Sequence, residues 1–175
     1  GSPAALGQAY VVTAADASNG YVSFTSSVAD LGGDGSKVLS AVVTDLASNS
    51  GTPATLAIAV DQVVPQPALM IDPAGGQDRY INRLETGIDL AVSYAGMAAG
   101  DVIHLVNSVL SSSPGSISDP AIAPAHTVTS AEALAGTATI SVARADLGAD
   151  GHIDAYAVVE DAAHNIGASG VLGLE

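Results

Sequence analysis

Short runs in which apolar and polar residues alternate recur along the chain. Tyr21-Val22-Ser23-Phe24-Thr25, Leu39-Ser40-Ala41-Val42-Val43-Thr44 and Thr137-Ala138-Thr139-Ile140-Ser141-Val142 follow a period of two, as expected of strands with one buried face. Clusters of Gly, Asp, Asn and Pro separate such runs at short intervals, as turns do. In the C-terminal part the pattern predicts seven strands. Strand A covers 68–72 with a continuation at 79–81, B 86–94, C 101–108, D 125–129, E 136–143, F 153–160 and G 168–174. Seven short strands in about 110 residues predict an all-β, immunoglobulin-like sandwich. The helical candidate, Ala131-Glu132-Ala133-Leu134-Ala135, is too short for more than one turn.

The pattern also repeats. Gly20 to Ala59 aligns without gaps on Gly136 to Glu175, an offset of 116 residues, with about 15 of 40 positions identical. The shared residues include Ala29-Asp30-Leu31-Gly32 with Ala145-Asp146-Leu147-Gly148, and Ala41-Val42-Val43 with Ala157-Val158-Val159. Asp45, Asn49 and Gly51 match Asp161, Asn165 and Gly167, and Val12-Thr13 matches Val128-Thr129. Two copies of one module explain this, in tandem. Residues 68–175 hold a complete second module, 61–67 a linker stiffened by Pro65 and Pro67, and 1–60 the counterparts of strands D to G only. Half a sandwich leaves an apolar sheet face bare, which costs about 25 cal/mol per Å². The half-module is therefore expected to be a clipped piece, to have its other half missing from the sequence as given, or to pair with another chain.

Composition narrows the class. Apolar residues make up 48% of the 175 and aromatics 3%, with no Trp, so the core must be built from Ala, Val, Ile and Leu. No apolar run approaches a membrane span of roughly 20 residues, so no membrane insertion is expected. Gly1-Ser2 and Leu174-Glu175 resemble cloning scars, and the chain reads as a fragment whose export signal lies elsewhere. Cys is absent, so an extracellular chain of this kind needs a stiffener other than disulfides. Lys37, Arg79, Arg83 and Arg144 face 18 carboxylates, a net charge of −14. That sign excludes a nucleic-acid partner. It is compatible with a solubilising surface or with carboxylates gathered around a divalent cation.

Strand order decides which acids can meet. The B–C and F–G loops and the entering linker share one end of the sandwich, which gathers Asp61, Asp101, Asp161 and Asn165. Calcium takes six to eight oxygen ligands, and three converging carboxylates would repel without it. Alternatively, Asp161 and Asn165 only close a tight F–G hairpin through Asx-turns, and Asp61 and Asp101 are solvated strand ends. At the other end, the E–F loops carry Asp30 and Asp34 in one copy and Asp146 and Asp150 in the other. Two Asp four apart in a Gly-rich turn resemble a shortened calcium loop, which makes these four a second candidate metal site, though the D-x-D-x-D spacing and terminal Glu of an EF-hand are missing. The alternative is purely structural. Gly35 and Gly151 fit a turn needing positive φ, with the Asp side chains bonding turn backbone.

Catalytic chemistry has no signature. There is no G-x-S-x-G, H-E-x-x-H or Walker loop, and the four His are scattered without a second His at ligand spacing. The Ser- and Pro-rich connection from Asn107 to Pro124 is the candidate contact surface if the module binds a glycan or a protein. An accessory domain of a secreted enzyme is a further alternative.

The string Ala145-Asp146-Leu147-Gly148-Ala149-Asp150-Gly151, followed by Ala157-Val158-Val159-Glu160-Asp161-Ala162-Ala163-His164-Asn165, resembles the hallmark of bacterial immunoglobulin-like repeats. Such repeats occur in large calcium-binding surface adhesins of the repeats-in-toxin and biofilm-associated type. Val60-Asp61 followed by Pro65, and Ala99-Gly100-Asp101 before strand C, are also similar to that family. His164 stands where the family has Gly, a position where positive φ is expected. The resemblance implies a non-catalytic extender at the bacterial cell surface, supporting adhesion or biofilm formation. It implies calcium at module junctions, with Asp61, Asp101 and Asp161 as ligands and Asn165 shaping the loop. The implied partners are neighbouring modules of the same chain and a host or surface ligand at a distant tip.

Overall fold

The structure, a computed structural model, describes Leu6, residues 9–109 and residues 111–175. Its elements in chain order are α1 (Ala14–Asn19), α2 (Val28–Leu31), β1 (Gly35–Ala41), β2 (Ala54–Val60), β3 (Ala68–Ile71), β4 (Gly87–Ser93), β5 (Val102–Asn107), β6 (His126–Thr127), α3 (Ser130–Ala135), β7 (Ala138–Ala143), a 3₁₀ turn (Arg144–Leu147), β8 (Ile153–Glu160), β9 (Ile166–Ala168) and β10 (Leu172–Leu174). The chain divides into two compact units, Gly1–Gln62 and Val63–Glu175.

The second unit is an all-β sandwich. One sheet has the order β3-β4-β7; the other runs β10-β8-β5-β6, with β9 also on β8, and every pairing is antiparallel. Alternation along the strands fills the space between the sheets. Ile88, Leu90 and Val92 of β4 and Ile140 and Val142 of β7 meet Ile103 and Leu105 of β5 and Ile153, Ala155, Ala157 and Val159 of β8. Residues 79–81 form no strand, yet Ile81 N–H donates to the Glu175 carbonyl and Glu175 N–H to that of Arg79, both at 2.8 Å. That is a parallel bonding pattern against the chain end.

Strand G is broken by a bulge. Ala168 faces Val158 and Leu172 faces Ala155, so three residues oppose two. Ser169, 7% exposed, repairs the ladder there: its hydroxyl accepts from Ala157 N–H at 3.0 Å and donates to the Gly170 carbonyl at 2.7 Å. Ser169→Ala strands a buried N–H and should cost roughly 1–3 kcal/mol in chemical denaturation. A change below about 0.5 kcal/mol would show that the hydroxyl is dispensable.

The expected joint at 61–67 is divided. Val63–Pro67 belong to the second unit, and Pro65 and Pro67 are buried. This segment passes so close to β9 that a Cβ added at Gly167 would lie 1.8 Å from the Pro65 carbonyl oxygen. The Ala-rich stretch makes the six-residue α3, longer than the single turn expected. Thr129 and Glu132 close a capping box at its start and Gly136 ends it in the left-handed conformation (φ 71°).

Among the described residues of the first unit, β1 and β2 are the only strands that pair, with Gly35 opposite Val60 and Ala41 opposite Ala54, and a single bridge joins Thr44 and Ser50. The alternating run at residues 21–25, expected as a strand, is not one. Its counterpart β7 draws its ladder bonds from β4, and the first unit contains no counterpart of β4 among its described residues. Strand pairing is non-local, so pattern without a partner leaves no strand.

Candidate functional site

The end of the second unit where β5 begins and β8 finishes brings two of the predicted acids together. Val102 faces Glu160 in the ladder, so Asp101 and Asp161 are the next facing pair. Ile103 and Val159, two residues further in, both point into the core, which puts these acids on the interior side of the sheet's open end.

Asp101 is 2% exposed. Its Oδ2 accepts from the Tyr94 hydroxyl at 2.7 Å and from Ala98 N–H at 2.9 Å. Burial, the hydrogen bond to Asp101, and the charges of Asp101 and Asp161 drive the Tyr94 phenol well above its ordinary pKa. Tyr94 thus feels both carboxylates and ties one in place. It escaped the sequence reading because its role arises from packing across the B–C loop; Tyr94 and Asp101, seven residues apart at two strand ends, were the only trace.

Asp161 organises the turn between β8 and β9. Its Oδ1 accepts from Ala163 N–H (2.8 Å) and Asn165 N–H (2.9 Å), and its Oδ2 from the Asn165 side-chain amide (2.9 Å). Burial works against ionisation, but these bonds, the Asn165 side chain foremost, outweigh it and hold the Asp161 carboxyl below its usual range. His164 takes φ 63°, as a residue in the Gly position of this turn must, and its ring bonds to Glu160. The Asx-turn predicted as one alternative is therefore present. Asp45, Ser48 and Asn49 repeat it, with Ser48 at φ 67°.

Asp61 directly follows β2 and lies in the first unit. The E–F acids have separate tasks. Asp30 Oδ2 accepts from Ser27 N–H and Oγ in a capping box at α2, which lowers its pKa. Asp34 Oδ1 accepts from Gln62 N–H at 2.9 Å. Asp146 lies in the 3₁₀ turn, and both it and Asp150 are exposed. Gly35 and Gly151 do take positive φ, 115° and 149°. Among the described residues, no group of three or more His, Asp or Glu side chains is placed to hold a metal. Asp101 and Asp161 by themselves fall short of the six to eight oxygens calcium takes.

The described residues of the 107–124 connection, 107–109 and 111–124, are folded down rather than projecting. Asp119 Oδ2 accepts from Ser108 Oγ at 2.5 Å and Ser116 N–H at 3.0 Å, and Ile122 and Ala123 are buried. A shallow cavity of about 270 Å³ beside it is lined by Asn107, Val109, Ser111, Asp119 and Pro120. Where β8 begins, His152 bonds Asp154 at 2.8 Å and Glu175 at 3.1 Å. Asp154 first, then Glu175, raise its pKa. A raised folded-state pKa stabilises fully below the unfolded value of about 6.5 and is lost as pH rises through the folded value. His152→Gln should therefore lower the melting midpoint at pH 5.5 and leave it unchanged at pH 8.5; an equal loss at both would exclude the imidazolium.

No helix among the described residues is long and apolar enough to cross a membrane. No protein-family model matches the chain, and no curated protein matches it. Among solved structures, one similar to it is a Ca2+-stabilized adhesin said to help an Antarctic bacterium reach out and bind ice. Identity is 22%, the match covers 81% of this chain and 32% of that one, and the TM-score is 0.38. The chain thus spans about a third of that chain's length, and a likeness at this level adds nothing to the fold described above.

Proposed function

We propose that this chain is a non-catalytic spacer from a large bacterial surface adhesin, an extracellular rod stiffened by calcium where modules join. The observation that carries the reading is repetition: the same Asp-Asn turn and the same capped loop recur 116 residues apart. A repeated module with no catalytic motif suits a length-setting role. The bacterial immunoglobulin-like resemblance supplies the adhesin setting.

For the calcium, Asp101 and Asp161 are the inner ligands, with Asp61 as the third carboxylate and loop carbonyls or water completing the shell. The ion would neutralise acids that otherwise repel. Tyr94 orients Asp101, and Asn165 with the turn N–H groups orients Asp161, so that each carboxylate is held in one direction. A carboxylate offers about four acceptor sites, so the bonds to one oxygen of Asp101 leave its other oxygen for a metal, and among the described residues Asp161 Oδ2 accepts only from Asn165. Asp30, Asp34, Asp146 and Asp150 are assigned to turn and cap structure instead.

Small-angle scattering of the whole chain tests the stiffening. With calcium, the pair-distance distribution should sharpen relative to chelator; identical profiles in both would remove calcium from the account of rigidity.

A further inference from the structure

Every element of the first unit has a counterpart in the second at the 116-residue offset. α1 corresponds to α3, α2 to the 3₁₀ turn, and the β1–β2 register to that of β8 and β10. The bridge between Thr44 and Ser50 corresponds to Glu160 facing Ile166, so the bulge recurs as well. What differs is the surroundings. In the second unit the free edge of β8 takes β5; in the first, the equivalent edge of β1 takes no strand among the described residues.

Side chains record the same difference. Val128, Ile140 and Val159 are 2%, 7% and 0% exposed, while their counterparts Val12, Phe24 and Val43 are 54%, 71% and 71% exposed. Gly51 repeats Gly167. Gly167 is where the Pro65 carbonyl comes within 1.8 Å of an added Cβ, yet at Gly51 the nearest atom, the Val43 carbonyl oxygen, is 3.6 Å away. A slot for a passing backbone is thus kept where no described residue fills it. An open edge beside an exposed apolar face is a template for strand addition.

We propose that the first unit is an acceptor for one kind of occupant: a polypeptide segment of this same repeat class, patterned like residues 63–116. Its β5-like strand pairs antiparallel with residues 39–44, following Asn107 opposite Ala155 and Val102 opposite Glu160. Its β4-like strand pairs with residues 22–27, and its leading segment crosses Gly51. Lys37 replaces the buried Ile153, so the matching occupant either leaves that corner open or sets a carboxylate there. The proposal is independent of calcium.

The test lengthens the intact chain by repeating residues 63–116 ahead of Gly1, which restores the register of the second unit. Hydrogen exchange at the amides of residues 39–44 should slow by at least 100-fold over the original chain, with the product monomeric in sedimentation. A control with aspartate replacing Ile103 and Leu105 in the added copy alone should lose that protection while the second unit melts unchanged. Unslowed exchange in the lengthened chain overturns the proposal. So does protection in the original chain as a dimer, which would make a second copy the occupant.

Discussion

Gly167→Ala is expected to destabilise the second unit by about 3 kcal/mol, at the upper end of what overpacking costs. The added methyl would lie 1.8 Å from the Pro65 carbonyl oxygen and 2.8 Å from its carbon. Both are backbone atoms, so no rotamer change relieves the clash. The 63–67 segment must lift, uncovering Pro65 and Pro67. For a domain of this size the melting midpoint should fall by roughly 10 °C. Gly51→Ala, the same change at the repeated position, meets only the Val43 carbonyl oxygen at 3.6 Å and should shift stability by no more than about 0.5 kcal/mol. Calorimetry of the two variants decides the matter. Equal small shifts would mean that the segment does not pack on Gly167.

Asp101 carries the second large effect, and two substitutions separate its tasks. Asp101→Ala removes a buried carboxylate and leaves the half-buried Tyr94 hydroxyl without its acceptor, together with the N–H of the exposed Ala98. A buried group left unsatisfied costs about 1–3 kcal/mol, and water can reach the Ala98 N–H, so a loss of about 2 kcal/mol is expected in chelator. Asp101→Asn keeps an oxygen for both donors and removes the charge facing Asp161. In chelator it should cost less than about 1 kcal/mol, yet it should lose most of the response to calcium, because calcium affinity rises with the number of charged ligands and a neutral amide oxygen is the weaker one. Urea denaturation with and without calcium reads both numbers. An Asn variant with the full calcium response would exclude Asp101 as a ligand.

Much of the second unit was legible because its strands are half-buried and alternate. Strand F was expected at 153–160 and β8 spans those residues; β5 occupies 102–107 of the expected 101–108. Legibility fails where a partner, not the local pattern, decides. Residues 21–25 alternate as well as β7 does, but without a β4 beside them they make no ladder. The expected strand at 125–129 shrinks to His126–Thr127, because β6 pairs β5 over two residues before the capped α3 begins. Strand G splits because period-two patterning does not reveal an inserted residue; only the register at Ser169 does.

The site was legible in the same uneven way. Strand order placed Asp101 and Asp161 at one end, and the ladder register makes them neighbours. Asp30 had a plainer signature than a calcium loop: Ser27 lies three residues before it, the spacing of a capping box. Tyr94 could not be found from spacing, since its bond to Asp101 depends on how the B–C loop folds back.

The central claim is that calcium is part of the folded chain, and a thermal melt tests it most directly. The wild-type chain is melted in calcium and in chelator, with magnesium holding ionic strength equal so that screening of the −14 charge cancels. A site at 100 times its dissociation constant adds about 2.7 kcal/mol, so the calcium midpoint should rise by several degrees. Superimposable melts in calcium and in chelator with magnesium would contradict the account.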